Sequence, residues 1–198
     1  MPEIQQHAWD LSIPEALAIQ QTLRQAVIGR KDFDTVRTVA GVDVGFEQDG
    51  KVTRAAVVVL RFPDLILLES ALVRQPTRFP YVPGLLSFRE APAILAALAQ
   101  LSAPPDLLLC DGQGLAHPRR CGLACHLGLL SDIPSIGVAK SRLFGDHAPL
   151  GDQRGDWQPL LDGEEVIGAV LCTRAGAKPL YVSIGHRIDL LNAIEYVL

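Results

Sequence analysis

Two short runs of this sequence, Asp106–Cys110 and Ile133–Val138, are almost wholly apolar and are separated by a stretch of helical character. Strands of that kind are buried on both faces, and a pair joined by a helix runs parallel in the middle of an α/β sheet. Any fold for this chain must therefore place helices on both sides of its sheet. Upstream, Ser12 followed by Glu15 has the form of a capping box, and Ala16, Ile19, Leu23, Ala26 and Val27 share one face, which predicts a helix over residues 13–29. Three β-type runs follow, Val36–Val44, Val52–Leu60 and Leu65–Val73, with turn residues between them, and they read as an antiparallel meander. A proline-rich connector, Gln75–Gly84, leads to a helix over Phe88–Leu101, and a second helix, Arg119–Leu130, joins the two apolar strands. After a polar loop, Gly145–Gln158, come strands at Val166–Cys172 and Leu180–Ile184 and a last helix from about Arg187.

With 198 residues, 48% of them hydrophobic, one sizeable core and a single domain spanning 1–198 are expected. Three antiparallel strands followed by αβαβ resembles the element order of a ribonuclease H-like α/β domain: a mixed central sheet with helices on both faces. The net charge of −4 argues against a protein that grips nucleic acid by bulk charge, so such a partner needs a local patch. No run approaches the ~20 apolar residues of a membrane span, and Met1–His7 lacks a basic start followed by an apolar block, so no membrane partner is expected and the cytoplasm is the expected compartment. Cys110, Cys121, Cys125 and Cys172 sit in apolar segments, which suits reduced thiols. The Cys121–Cys125 spacing does not match a zinc knuckle, and His126 reads as a core or helix-surface histidine.

Against this background a few polar residues stand out. Asp43 interrupts a valine-rich strand, where a carboxylate is costly unless it is paired; the plain alternative is an acid bonded to backbone or a nearby arginine. Asp111 follows an apolar strand and opens a glycine loop, at the carboxyl edge where ligands of α/β sheets collect; alternatively it forms an Asx-turn. If the first and fourth strands are neighbours, these two acids approach each other and repel unless a proton or cation intervenes. Glu90 shares a helical stripe with Leu86, Ile94 and Leu98 and so points inward, unless it forms a capping box with Ser87. Three such carboxylates at one edge suit a hard divalent cation, Mg²⁺ above all.

Asp111-Gly-Gln-Gly-Leu-Ala-His-Pro-Arg-Arg120 is the most unusual stretch. Its glycines permit close backbone approach to a ligand, and His117, Arg119 and Arg120 at the expected helix start can address phosphates; the alternative is a plain solvated helix start, although positive charge there opposes the helix dipole. Lys140 emerges at the same edge as Asp111. From Arg74 to Arg142 the basic residues outnumber the acids, a distribution suited to a phosphodiester substrate. Tyr81, on the stiffened loop Phe79–Gly84, can serve as a wedge or stacking platform for an unpaired base, or that loop merely covers the core.

Taken in order, Val39–Phe46, Pro80–Glu90, Asp111–Arg120, Ile136–Lys140 and Gly185–Arg187 resemble the motifs of the endonuclease V family, the deoxyinosine-specific repair nucleases. The resemblance implies a Mg²⁺-dependent cut, with Mn²⁺ as substitute, at the second phosphodiester on the 3′ side of a deaminated purine, leaving 3′-hydroxyl and 5′-phosphate ends. It implies that Asp43 and Asp111 bind metal, that Glu90 completes the acidic site, and that His117 and Lys140 assist near the scissile phosphate. Tyr81 matches the wedge, while Pro83, Gly84, Leu85, Gly112 and Gly114 fall where the base pocket is built and Arg119 contacts substrate. The implied partner is DNA containing deaminated purines, bound by a monomer. Two departures bear on activity. The histidine usual between the two glycines is Gln113 here, which hydrogen-bonds but does not titrate. The sequence stops at Leu198, where family members usually continue with a basic, proline-containing tail. Rival expectations are a lesion-binding module that does not cut, and a nuclease of the same fold acting on inosine in RNA or on branched DNA.

Overall fold

The computed structural model describes residues 7–198. The helix predicted first is α1, Ile13–Leu23, and its capping box is formed: Ser12 Oγ and Glu15 exchange bonds across the first turn. It ends earlier than its periodicity suggests, because Arg24–Ala26 tightens to a 3-10 turn and Val27 is extended, which brings the Ile28 carbonyl to the Arg187 amide at 2.7 Å.

Strands β1 (Thr38–Glu47), β2 (Val52–Arg61) and β3 (Leu67–Pro76) form the expected meander. Helix α2 (Leu86–Leu98) precedes β4 (Leu107–Cys110), and α3 (Leu123–Ser131) precedes β5 (Ser135–Ala139). Strands β6 (Trp157–Asp162), β7 (Glu165–Leu171) and β8 (Leu180–His186) and helix α4 (Leu190–Val197) complete the chain. Together the strands make one eight-stranded sheet in the order β3-β2-β1-β4-β5-β8-β7-β6, in which β1, β4 and β5 run parallel and the remaining pairs are antiparallel.

The apolar central strands are buried on both faces, as their composition requires. Leu108 and Cys110 pack with Val42, Ile94 and Leu127 beneath α2 and α3, whereas Leu107 and Ile136 pack with Ile188 and Ile194 beneath α4. Alternate residues of one strand thus serve two cores. No helix among the described residues is long and apolar enough to cross a membrane.

Two further elements differ from the sequence expectation. The segment read as a polar loop ends in β6, an edge strand whose Pro159 and half-buried residues hide the alternation; proline is tolerated at an edge because no neighbour needs its amide. Helix α3 starts at Leu123 rather than at Arg119, because Arg120 adopts a φ of 53° and breaks the helical path. Arg119 and Arg120 therefore lie in the preceding loop, and the conflict with the helix dipole does not arise.

His126 of α3 is fully buried against Trp9 and Phe88, with Nδ1 2.9 Å from Ser87 Oγ and Nε2 2.7 Å from His7 Nε2. Burial, reinforced by His7, pushes its pKa down from 6.5 to about 3. Between those two values the unfolded chain binds a proton that the native state refuses, so stability falls as the pH falls through that window. Denaturant unfolding measured from pH 7 to pH 4 should show a loss approaching about 1.4 kcal/mol per pH unit from this group. A His126→Gln variant should show a correspondingly shallower slope.

Candidate functional site

The pairing of β1 with β4 sets the geometry. Their parallel register runs from Val39 opposite Leu107 to Val42 opposite Cys110, so the next residues, Asp43 and Asp111, emerge side by side at the carboxyl edge. Neighbouring strands lie about 4.8 Å apart. The Asp111 amide still reaches the Val42 carbonyl, at 3.4 Å. Alternation along β1 sends Val42 into the core and leaves Asp43 exposed, beside an open concavity of about 430 Å³ bounded by Gly41, Val58, Leu109 and Lys140.

Glu90 joins these acids from the covered side of the sheet. It sits on the first turns of α2, only 7% exposed, and its pKa is raised to about 7 by burial and then by the charges of Asp111 and Asp43, with Arg89 opposing. The smaller part of that shift shows that the charges of Asp111 and Asp43 are felt at Glu90. The alternative capping box is absent: the N-cap of α2 is Leu85 with no side-chain cap, and Ser87 bonds His126 instead. Lys140 follows β5 and pairs its ammonium with Asp111 Oδ2, which, together with the charge of Asp43, raises the lysine pKa.

Among the described residues no group of three or more His, Cys, Asp or Glu side chains is placed to hold a metal ion by itself. An all-oxygen edge of two adjacent carboxylates with a third behind it nevertheless fits Mg²⁺, which takes one or two protein carboxylates and completes its shell with water and phosphate oxygens. Burial first, and then the charges of Asp111 and Asp43, raise the Glu90 pKa, and a bound cation would offset the second of these.

A second feature adjoins this edge. A cavity of about 140 Å³ opens beside Tyr81, which is 71% exposed, and is walled by Pro83, Gly84, Gly112, Gln113 and His117. The Gly84 carbonyl, at a residue with φ of 78°, accepts from Gln20 Nε2 at 3.0 Å, His117 Nε2 at 3.0 Å and Arg119 Nη2 at 2.7 Å. Gln20 donates also to the Cys121 carbonyl at 2.6 Å, while its own Oε1 accepts from Arg119 Nε. His117 Nε2 must donate to the Gly84 oxygen, so Nδ1 is left to accept the Arg119 amide at 3.1 Å. Burial, then the Arg119 charge, lowers the His117 pKa to about 4, and the ring is neutral near pH 7.

His117 thus lines the cavity, and Arg119 braces its Gly84 wall. Arg120 turns away to Asp162 at 2.5 Å and Glu165 at 2.6 Å. Leu85 and Gly114 stand outside the lining: Leu85 is buried with Phe79 and Phe88, and a Cβ on Gly114 would lie 2.0 Å from the Ile184 carbonyl oxygen. Sequence reasoning missed Gln20, Ser87, Gln113 and Leu143 as lining residues. For Gln20 a signal existed, since it shares the buried face of α1 with Ala16 and Leu23. Gln20→Leu should strip partners from two carbonyls and one guanidinium and lower stability by roughly 1–3 kcal/mol in urea unfolding. It should also speed proteolysis of the loop before α2.

Residues 21–198 match the family model for endonuclease V. The chain is 58% identical over 195 residues to an endonuclease V from Nostoc sp. (strain PCC 7120 / SAG 25.82 / UTEX 2576), covering 98% of this chain and 88% of that protein. Its fold is similar to the crystal structure of the Streptomyces avermitilis endonuclease V, with a TM-score of 0.89, 45% identity, and coverage of 94% of this chain and 83% of the other. It is similar also to Ciona intestinalis endonuclease V in complex with a 24mer DNA containing an inosine followed by a ribo-adenosine, with a TM-score of 0.80, 28% identity, and coverage of 93% and 87%. Agreement in sequence over nearly all of this chain, together with a shared α/β architecture of ribonuclease H type, identifies this chain as a member of the endonuclease V family.

Proposed function

We propose that this chain is a deoxyinosine-directed DNA repair endonuclease, a single domain that hydrolyses the second phosphodiester on the 3′ side of the deaminated base and leaves 3′-hydroxyl and 5′-phosphate ends. The observation that carries this reading is the adjacency of Asp43 and Asp111, backed by Glu90, to a cavity with an exposed tyrosine at its mouth. Membership of a nuclease family and the inosine-containing DNA held by the Ciona relative support it.

In this reading Asp43 and Asp111 hold Mg²⁺, or Mn²⁺ in its place, and Glu90 completes the acidic set. When bound, the ion supplies Lewis acidity and charge neutralisation for phosphodiester hydrolysis. Lys140 carries positive charge to the edge where the phosphate lies. Tyr81 enters the stack as the damaged base leaves it, and the walls of Pro83, Gly84 and Gly112 receive that base. His117 and Arg119 act as positioning residues that fix the Gly84 carbonyl, with Leu85 and Gly114 securing the two loops from behind. The reading takes the protein to be a monomer acting in the cytoplasm, a compartment in keeping with four buried free thiols.

A labelled duplex carrying one deoxyinosine, incubated with Mg²⁺, should be cut once on the 3′ side of the lesion. Asp43→Ala and Asp111→Ala should abolish cleavage and keep a native melting transition. Mg²⁺-dependent turnover in both variants would refute their roles, and binding without scission by the unaltered protein would favour a lesion-binding module. Single-stranded DNA, branched DNA and inosine-containing RNA in the same assay separate the remaining substrates, since an RNA reader needs the 2′-hydroxyl.

A further inference from the structure

We propose that Gln113 reads the lesion chemically: its side-chain oxygen accepts a hydrogen bond from the imino N–H that deamination creates on the everted base. This rests on the cavity being the seat of that base.

Gln113 is 8% exposed and lines the cavity together with Gly84, Ser87, Gly112 and Leu143. Its Nε2 donates to the Ser141 carbonyl at 3.0 Å. Because a carbonyl oxygen only accepts, that bond settles which way the amide faces, and Oε1 cannot exchange places with the nitrogen. Oε1 is buried without a hydrogen-bond partner; among the described residues Arg89 Nε is the other buried side-chain atom in that position. The backbone beneath it has no room to shift. A Cβ on Gly122 would lie 2.3 Å from the Gln113 carbonyl oxygen, and one on Gly137 would lie 2.8 Å from the Gln113 carbonyl carbon. A buried acceptor left unsatisfied destabilises a fold, and such groups in native structures call for an explanation.

The explanation offered by the cavity is a donor on the ligand. A cavity of roughly 150 Å³ in another protein holds benzene, and this one, at about 140 Å³, is of the size to take an aromatic base. Adenine presents a bare lone pair at N1. Hypoxanthine, its deamination product, carries a hydrogen there beside the new carbonyl. An acceptor brought to that position attracts the second base and repels the first, so it senses the atom that distinguishes damage from normal DNA. A site built around one hydrogen bond discriminates strongly, because the wrong base leaves a buried polar group unpaired.

The test is binding without divalent cation, read by fluorescence anisotropy with labelled duplexes carrying deoxyinosine or deoxyadenosine at one position. Gln113→Met has nearly the same length and no acceptor oxygen. It should weaken deoxyinosine binding about tenfold or more while deoxyadenosine binding holds or tightens, because the lone-pair repulsion has gone. Its melting temperature should change little, since the variant loses the bond to the Ser141 carbonyl together with the unsatisfied oxygen. Gln113→Asn, which withdraws the oxygen by one methylene, should reduce the same ratio, and it decides the matter if the Met variant fails to fold. An unchanged inosine-to-adenine ratio, or a parallel loss on both duplexes, overturns the proposal. If the unaltered protein itself does not prefer inosine, the functional reading fails first and takes this inference with it.

Discussion

The register of β1 against β4 is the constraint on which the site depends. Parallel pairing that ends at Val42 and Cys110 leaves two aspartates at adjacent strand ends, where their charges repel and where the sheet can no longer shield them. A one-residue slip would turn Asp43 toward the Val42 side, into the core beneath α2 and α3. The apolar alternation that serves two cores therefore also fixes where the acids stand. Glu90, on the covered side, has its pKa raised to about 7 by burial and then by their charges.

One loop joins the acidic edge to the cavity. Asp111 ends β4, Gly112 and Gln113 line the cavity, and Gly114 is pressed against β8 with its amide on Ser183 Oγ at 2.9 Å. On the proposed function, recognition of a base and chemistry at a phosphate would thus be separated by two peptide units rather than by a domain interface. The opposite wall is fixed independently, by three donors from α1 and the 117–119 loop converging on the Gly84 carbonyl. Rigid walls of this kind place a flipped base without the entropic cost of ordering a loop around it.

Much of this was legible in the sequence for definite reasons. Asp43 and Asp111 stood out because a carboxylate breaks an apolar strand pattern, and the paired apolar runs dictated parallel strands covered on both sides. Glu90 was readable as inward-facing but not as free of a helix cap, since Ser87 and Glu90 have the spacing of a capping box and only packing diverts Ser87 to His126. The clamp on Gly84 was hidden because Gln20 and Arg119 lie 99 residues apart, and a glutamine on an apolar helix face carries no label for its partner. Strand β6 was hidden by its edge position and Pro159, and the start of α3 by the left-handed turn at Arg120, a conformation that no residue type there announces.

The central claim is that strand register alone brings Asp43 and Asp111 together as the seat of a divalent cation. Anomalous diffraction from crystals grown with Mn²⁺ tests it most directly. The account predicts the principal peak within coordinating distance of both aspartate carboxylates, with Glu90 beside it. A principal peak bound elsewhere, with those two carboxylates coordinating nothing, would contradict it.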